Sequence, residues 1–242
     1  MNLEKLHKID DNKLLSLMKQ YFKTLHDYGS VSKDETINFL YYYNEYILRL
    51  NGIDLFDFKL VIHHDYSSEC NVSAFMYQIK DVFHVHIQKR LLQEIIDMKK
   101  GSFIELLVDA GHEFQHIVQY LLNYKSISDY EVQKYDIETV LEKIPKIKTH
   151  KKLRHSLNQH NDSLNYLHPI ELDADRKSYK YLFTLLDTIM SCEQNEDFLK
   201  DLLSYKEMTK RDKKYRALEL YKIKSTDDYS QRCIKKSLEY EF

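Results

Sequence analysis

The fold and function of this chain are predicted from one stretch, Gly111-His112-Glu113-Phe114-Gln115-His116. It carries the pattern His-Glu-x-x-His within a run of apolar residues at helical spacing. Residues four apart lie on the same face of a helix, so His112 and His116 can present two imidazole nitrogens to one metal ion. Glu113 points about 100° away from His112, close enough to hold a water molecule beside such an ion.

Helical spacing around this stretch predicts a helix that runs to about residue 124. Gly101 ends the preceding segment, and Ser102 with Glu105 three residues on forms a capping box, which is typical of a helix start. One apolar stripe is expected to face the core: Phe103, Leu106, Leu107, Ala110, Phe114, Ile117, Val118 and Leu121. The two histidines lie on the far side of the helix from that stripe, an arrangement that suits a cleft.

A second segment predicts a helix over 169–190 that buries carboxylates on its apolar side. Pro169 is well placed near a helix N-terminus. Glu171 and Asp175 fall within the apolar stripe, whereas Asp173 is turned to the opposite, charged side; the stripe is Ala174, Ser178, Tyr181, Leu182, Leu185 and Ile189. Each buried carboxylate costs several kcal/mol unless a metal, a proton or a hydrogen-bonding partner compensates it. A buried ion pair with a Lys or Arg from elsewhere is the alternative.

His-Glu-x-x-His followed by Glu-x-x-Ala-Asp at 171–175 resembles the gluzincin branch of zinc metallopeptidases. A chain of this composition would contain both patterns by chance in roughly one case per thousand. The resemblance covers roughly residues 55 to 190, and the soluble proteins that it is most similar to are intracellular ImmA/IrrE-type peptidases. It implies Zn²⁺ ligands His112, His116 and Glu171, with Glu113 as the catalytic base and Asp175 as the carboxylate that supports a ligand histidine.

The resemblance also implies an intracellular zinc peptidase that hydrolyses a peptide or protein substrate, such as a regulatory protein. Zinc with three protein ligands keeps one position open for water and lowers the pKa of that water toward ~7. Glu113 then takes the proton and delivers it to the leaving amine. The oxyanion needs a donor besides zinc, and Tyr179 and His168 are candidates between which the sequence does not choose.

Composition narrows the functional classes further. The 242 residues include only 4 Gly and 2 Pro, which favours a mainly helical chain, and the formal net charge of −2 predicts no nucleic-acid or anionic-membrane binding. The N-terminus does not have the pattern of a signal peptide, and no apolar run approaches the ~20 residues that span a bilayer. Three cysteines without an export signal are expected to be free thiols in a reducing compartment, so we expect a cytoplasmic protein.

The predicted fold is α+β and mostly helical, with a small sheet packed on the active helix. We expect a single domain, 1–242, with N-terminal helices in 1–52, a zincin-like catalytic core in 53–190 with an insertion over 125–168, and C-terminal helices in 191–242. The predicted elements are helices 3–26, 33–50, 91–99, 195–209 and 211–223, a last helix after Ser225, and strands 56–62, 74–79 and 82–87.

The strand histidines and the zincin layout give two further expectations. His84 and His86 share one face of a strand, but nothing nearby in the sequence completes a set of metal ligands. In the zincin layout an edge strand borders the cleft. We therefore predict that strand 82–88 receives an extended peptide by backbone pairing.

Two interpretations from other classes remain open. Glu4-x-x-His7 and Glu113-x-x-His116 both fit the Glu-x-x-His element of a di-iron carboxylate protein, which needs a four-helix core. The predicted strands argue against that core. The other interpretation is a non-catalytic interaction protein whose metal is structural or absent.

Overall fold

Helices make up most of the architecture, together with one small mixed sheet, as the predicted α+β class requires. The computed structural model describes residues 9–53, 59–66, 74–79, 82–96, 100–125 and 169–222. The elements in these ranges are α1 (Asp11–Tyr28), α2 (Lys33–Leu50), β1 (Lys59–Tyr66), β2 (Ala74–Ile79), β3 (Val82–Gln88), α3 (Lys89–Ile96), α4 (Lys100–Lys125), α5 (Pro169–Ser191) and α6 (Glu196–Lys222). None of these helices is long and apolar enough to cross a bilayer.

Several predictions fall on other parts of the chain. Almost all of the predicted insertion lies outside the described residues, and so do Glu4-x-x-His7, His168 and the last predicted helix after Ser225. For Glu171 the backbone is described as part of α5, and its side chain lies outside what the structure describes.

The second helix covers the predicted range 33–50, whereas the first, predicted over 3–26, begins only at Asp11 because Asp10 caps it. Asp10 caps α1 by accepting a hydrogen bond from the backbone N–H of Lys13 at 2.9 Å. Gly29 ends this helix with a φ of 72°, a left-handed conformation that glycine adopts without a Cβ clash. Ser32 and Glu35 form a capping box at the start of α2.

The sheet has the strand order β1-β3-β2, with β3 in the centre. β2 and β3 correspond to the strands predicted at 74–79 and 82–87, and they pair antiparallel from Ala74↔Ile87 to Ile79↔Val82. β1 pairs with β3 in parallel and extends to Tyr66, beyond the predicted end at residue 62. Backbone pairing with β3 continues whatever the polarity of the side chains, so His63 and His64 lie within the strand.

The central position of β3 shows that the predicted peptide-binding strand is wrong. β3 forms backbone hydrogen bonds with β1 on one side and β2 on the other. A strand that is paired on both sides has no free row of N–H and C=O groups to offer a peptide. β2 is the edge strand that contacts α4. Within the described residues, no other strand pairs with its outer side.

Helix α4, which carries the two histidines, is buried on most of its circumference. All eight residues of the predicted apolar stripe are buried, and so are Ile104 and Val108 on neighbouring faces. An aromatic cluster anchors its first turn, where Phe103 lies 5.5–6.4 Å from the rings of Tyr21, Phe22, Phe39 and Tyr205. Helix α4 is therefore fixed to α1, α2 and α6 through one group of rings.

The start of α4 differs from the prediction. The helix already includes Lys100, and the hydroxyl of Ser102 donates to Glu94 of α3 at 2.5 Å. Glu105 faces Arg90, also of α3, at 3.7 Å. The predicted capping box is wrong because contacts with α3 engage both side chains.

The C-terminal helices that the sequence separates at residue 210 are one helix, α6. The predicted break falls at a run of charged residues, Lys210 to Lys214, which contains neither glycine nor proline. Exposed charges do not interrupt backbone hydrogen bonding, so the helix continues.

Gly111, immediately before His112, lets α2 and α5 approach α4 closely. A Cβ at this position would lie 3.2 Å from the hydroxyl of Tyr43 and 3.3 Å from Cβ of Ser178. Ser178 belongs to α5, the helix that carries the downstream carboxylates. The contact at Gly111 therefore brings α5 against the helix that carries the histidines.

We expect Gly111→Leu to destabilise the fold by about 1–3 kcal/mol, because the added side chain overpacks this three-helix contact. Gly101→Leu is the matched control in the same helix, since a Cβ there meets nothing within 4 Å. The measurement is the free energy of unfolding in denaturant. Equal effects at the two glycines would show that α2 and α5 do not pack against Gly111 as described.

Candidate metal centre

The imidazole rings of His112 and His116 converge on one point, as helical spacing predicts. Their Nε2 atoms are 3.0 Å apart, and the ring planes cross at 80° with centroids 4.7 Å apart. His112 is buried and His116 is half-buried. The two nitrogens therefore meet at a position that is only partly shielded from solvent.

The other ring nitrogen of each histidine has a hydrogen-bond acceptor. Nδ1 of His112 donates to Oδ1 of Asp175 at 2.9 Å, and Nδ1 of His116 donates to Oε1 of Gln119 at 2.8 Å. A carboxylate only accepts, so the partner of His112 places its proton on Nδ1. These partners leave Nε2 of both rings as the nitrogen with a lone pair when the imidazoles are neutral.

Two facing lone pairs at 3.0 Å repel each other unless a cation or a shared proton lies between them. Two nitrogens bound to one tetrahedral zinc ion at ~2.0–2.1 Å lie about 3.3 Å apart. The observed separation is therefore close to that of a ligand pair. The donor atoms, their tautomers and their separation all fit zinc.

The predicted third ligand, Glu171, belongs to the same helix as Asp175 and precedes it by four residues. One turn of α5 thus separates its backbone from that of the carboxylate that contacts His112. Among the side chains that the structure describes, no group of three His, Cys, Asp or Glu residues is placed to hold a metal ion. Glu171 is not among those side chains, so its role as a ligand stays a prediction.

Glu113, the predicted base, is half-buried and follows His112 directly in α4. Its neighbours His112 and Phe114 are buried. At about 100° per residue its side chain diverges from the direction of the two histidines. A carboxylate in this position is accessible enough to exchange a proton with water.

Asp175 lies where the sequence predicts, and Asp173 does not. Asp175 is 5% exposed and contacts His112, as a supporting carboxylate should. Asp173 was expected to face the charged side of its helix, away from the site. Instead its Oδ2 accepts hydrogen bonds from Nε2 of Gln115 at 2.8 Å and from Nε2 of Gln119 at 2.9 Å. The expectation fails because the long glutamine side chains of α4 reach around to Asp173.

Gln115 and Gln119 are the site residues that the sequence analysis missed. Both are buried, and each follows one of the two histidines by three residues on α4. Residues three apart are neighbours on a helix surface, so this repeated spacing is the signal that identifies them. Polar side chains inside a buried helix need hydrogen-bond partners, and α5 provides them.

The polar network continues to α2 through a tyrosine. The hydroxyl of Tyr181 donates to Oε1 of Gln115 at 2.5 Å and accepts from Nδ2 of Asn51 at 2.8 Å. Burial raises the pKa of Tyr181, so its hydroxyl remains protonated and remains a donor. The amide of Gln115 is thereby held between Tyr181 and Asp173.

Of the two candidate oxyanion donors, the structure describes only Tyr179. The hydroxyl of Tyr179 donates to Oδ2 of Asp212 on α6 at 2.5 Å, so its proton is already engaged by a carboxylate. We therefore do not assign it an oxyanion role. His168 lies outside the described residues.

The strand histidines form a stacked surface cluster with a member that the sequence analysis did not anticipate. His63 of β1 stacks on His86 at 4.1 Å, with planes 11° apart, and its Nε2 lies 2.9 Å from Nδ1 of His84. Phe75 and Tyr77 of β2 stack on the same histidines. The contact between His63 and His84 is a hydrogen bond between two rings, and no third His, Cys, Asp or Glu side chain among the described residues completes a metal site there.

Comparisons with known proteins do not assign a family or a function to this site. No protein-family model matches the chain, and neither does any curated protein or any solved structure.

Proposed function

We propose that the protein is a zinc-dependent peptidase, with His112, His116 and Glu171 as ligands. One observation carries this proposal: the Nε2 atoms of two histidines approach to 3.0 Å while both Nδ1 atoms are bound to acceptors. A hydrogen bond between the two Nε2 atoms would need an additional proton on one imidazole, whereas a shared metal ion uses both lone pairs of the neutral rings. The downstream helix α5 adds a buried carboxylate, Asp175, in the position of a supporting partner.

Each residue has a distinct task in the proposed reaction. A bound zinc ion supplies Lewis acidity, which polarises the scissile carbonyl and makes water a better nucleophile near neutral pH. Glu113 removes one proton from the attacking water as its oxygen bonds to the carbonyl carbon, and then protonates the leaving amine as the C–N bond breaks. Asp175 keeps Nδ1 of His112 protonated, so that Nε2 remains available to the ion.

The substrate is expected to be an extended peptide that pairs with the outer edge of β2. This edge replaces the one predicted from the sequence, because β3 is paired on both sides. β2 packs against α4, the helix with the two histidines. Edge strands bind peptides by extending the sheet with main-chain hydrogen bonds.

A structure with a peptide hydroxamate bound checks this expectation. We expect backbone hydrogen bonds between the inhibitor and residues 74–79. An inhibitor bound through its hydroxamate whose peptide part pairs with another element, or with none, would contradict it.

The proposed activity is tested with a library of quenched fluorescent peptides. The zinc-loaded protein is expected to cleave members of this library, to lose that activity on dialysis against a chelator, and to regain it with one equivalent of zinc. A protein that binds zinc stoichiometrically and cleaves neither the library nor a cell proteome would instead be a non-catalytic zinc protein.

A further inference from the structure

The two candidate zinc ligands on α4 are supported unequally. His112 donates directly to the carboxylate of Asp175, whereas the acceptor for His116 is the neutral amide oxygen of Gln119. The amide of Gln119 in turn donates to Asp173 at 2.9 Å. Each histidine is thus connected to a carboxylate of α5, one directly and the other through a glutamine.

The side-chain amide of Gln119 can be rotated by 180°, which exchanges the positions of its oxygen and its NH₂ group. Its orientation decides which ring nitrogen of His116 carries the proton. With its oxygen toward His116, Gln119 requires a proton on Nδ1 and leaves Nε2 with the lone pair. With its NH₂ group toward His116, it would require the lone pair on Nδ1 and a proton on Nε2, which blocks coordination through Nε2. Asp173 fixes the orientation of Gln119, because an ionised carboxylate accepts hydrogen bonds and donates none. The NH₂ group of Gln119 must therefore face Asp173, and its oxygen faces His116.

The carboxylate of Asp173 is itself held by a second amide of fixed orientation. Gln115 donates to the same oxygen, Oδ2, at 2.8 Å. The side-chain oxygen of Gln115 accepts a hydrogen bond from the buried hydroxyl of Tyr181, which in turn accepts one from Asn51. The hydrogen bonds therefore point toward Asp173 from both sides: from Asn51 through Tyr181 and Gln115, and from His116 through Gln119.

We propose that Asp173 is a positioning residue that acts through Gln119 to hold His116 in the tautomer that binds zinc at Nε2. As a statement about zinc, this inference rests on the proposed function. As a statement about the tautomer of His116, it applies to the metal-free protein as well. Asp173 and Asp175 then perform the same task for the two histidines, by different routes.

A double-mutant cycle on zinc affinity separates this role from a general effect on the fold. We expect Gln119→Leu to weaken zinc binding by about 10–100-fold and Asp173→Leu by up to the same factor. In the Gln119→Leu background, Asp173→Leu should change the affinity by less than about twofold, because the residue that it acts through is gone. Asp173→Asn, which keeps the size and one acceptor, should fall between wild type and Asp173→Leu.

The control for this cycle is Asp187→Leu. Asp187 is an exposed carboxylate on α5, the helix of Asp173, and it pairs with Lys206 of α6, so its removal should leave zinc affinity unchanged. Affinity is measured by competition with a chelator at fixed pH. Independent effects of Gln119→Leu and Asp173→Leu that multiply in the double variant, or an unchanged affinity in Asp173→Leu, would overturn the inference.

The tautomer of His116 provides a second measurement that a merely structural role would not change. In the metal-free protein at a pH where the imidazoles are neutral, ¹⁵N NMR should show His116 protonated at Nδ1. Both Asp173→Leu and Gln119→Leu should populate the form protonated at Nε2. If the wild-type protein binds no zinc, the proposed function fails, whereas this tautomer measurement still decides whether Asp173 directs His116; an unchanged tautomer in Asp173→Leu would overturn the inference.

Discussion

Glu113→Gln is expected to lower peptide hydrolysis by about 10²–10⁴-fold while the protein keeps its zinc. The glutamine has nearly the same size, so the packing around the half-buried position is retained. It has no ionisable carboxylate, so it cannot take a proton from water and return it to the leaving amine. The measurement is turnover of the zinc-loaded variant, together with its zinc content per chain.

Glu105→Gln is the control for this substitution. Glu105 is on the same helix, two turns before Glu113, and its carboxylate faces Arg90 of α3. Its substitution should leave turnover unchanged. If Glu113→Gln instead loses its zinc, Glu113 is a ligand and the proposed assignment of roles is wrong. If turnover is unchanged, another group supplies the base.

Asp175→Asn is expected to weaken zinc binding by up to about 10–100-fold. The carboxylate accepts the Nδ1 proton of His112 at 2.9 Å within a buried contact. A neutral amide is a weaker acceptor, and its NH₂ group can turn toward Nδ1 and favour the tautomer that is protonated on Nε2. Zinc affinity is measured by chelator competition at fixed pH, with the thermal stability of each variant recorded alongside.

Asp187→Asn serves as the comparison for Asp175→Asn. It removes an exposed carboxylate from the same helix and should not change zinc affinity. Glu171→Ala should weaken zinc binding more than Asp175→Asn, because it would remove a ligand and not the partner of one. Equal zinc affinities of Asp175→Asn and the wild type would mean that the contact with His112 does not support a metal ligand.

Local sequence signals predict the helices and strands of this chain well, and packing explains the differences. Gly29 and the Ser32–Glu35 pair act within one turn of the backbone, so their effect is visible in the sequence. Ser102 has the same local pattern but donates to Glu94, a partner in another helix. Spacing along the chain does not reveal such a partner. The same reasoning applies to β3, whose parallel neighbour β1 is distant in sequence.

The candidate site shows the same division between local and long-range information. Helical spacing places His112 and His116 on one face, and their Nε2 atoms do converge. It also directs Asp173 away from Asp175, yet Asp173 binds Gln115 and Gln119. A helical projection gives the direction in which a side chain leaves the axis, whereas contact also depends on the reach of side chains from the neighbouring helix. Asp173 therefore contacts α4 although a helical projection directs it away from the site.

Anomalous diffraction at the zinc edge from crystals of the protein tests the central claim most directly. We predict one zinc ion per chain, bonded to Nε2 of His112 and Nε2 of His116 at ~2.0–2.1 Å and to a carboxylate oxygen of Glu171 at ~2.0–2.2 Å. Nδ1 of each histidine should remain bound to Asp175 and Gln119, respectively. Crystals grown with zinc that show no anomalous peak between the two histidines, or a peak without Glu171 among its ligands, would contradict this account.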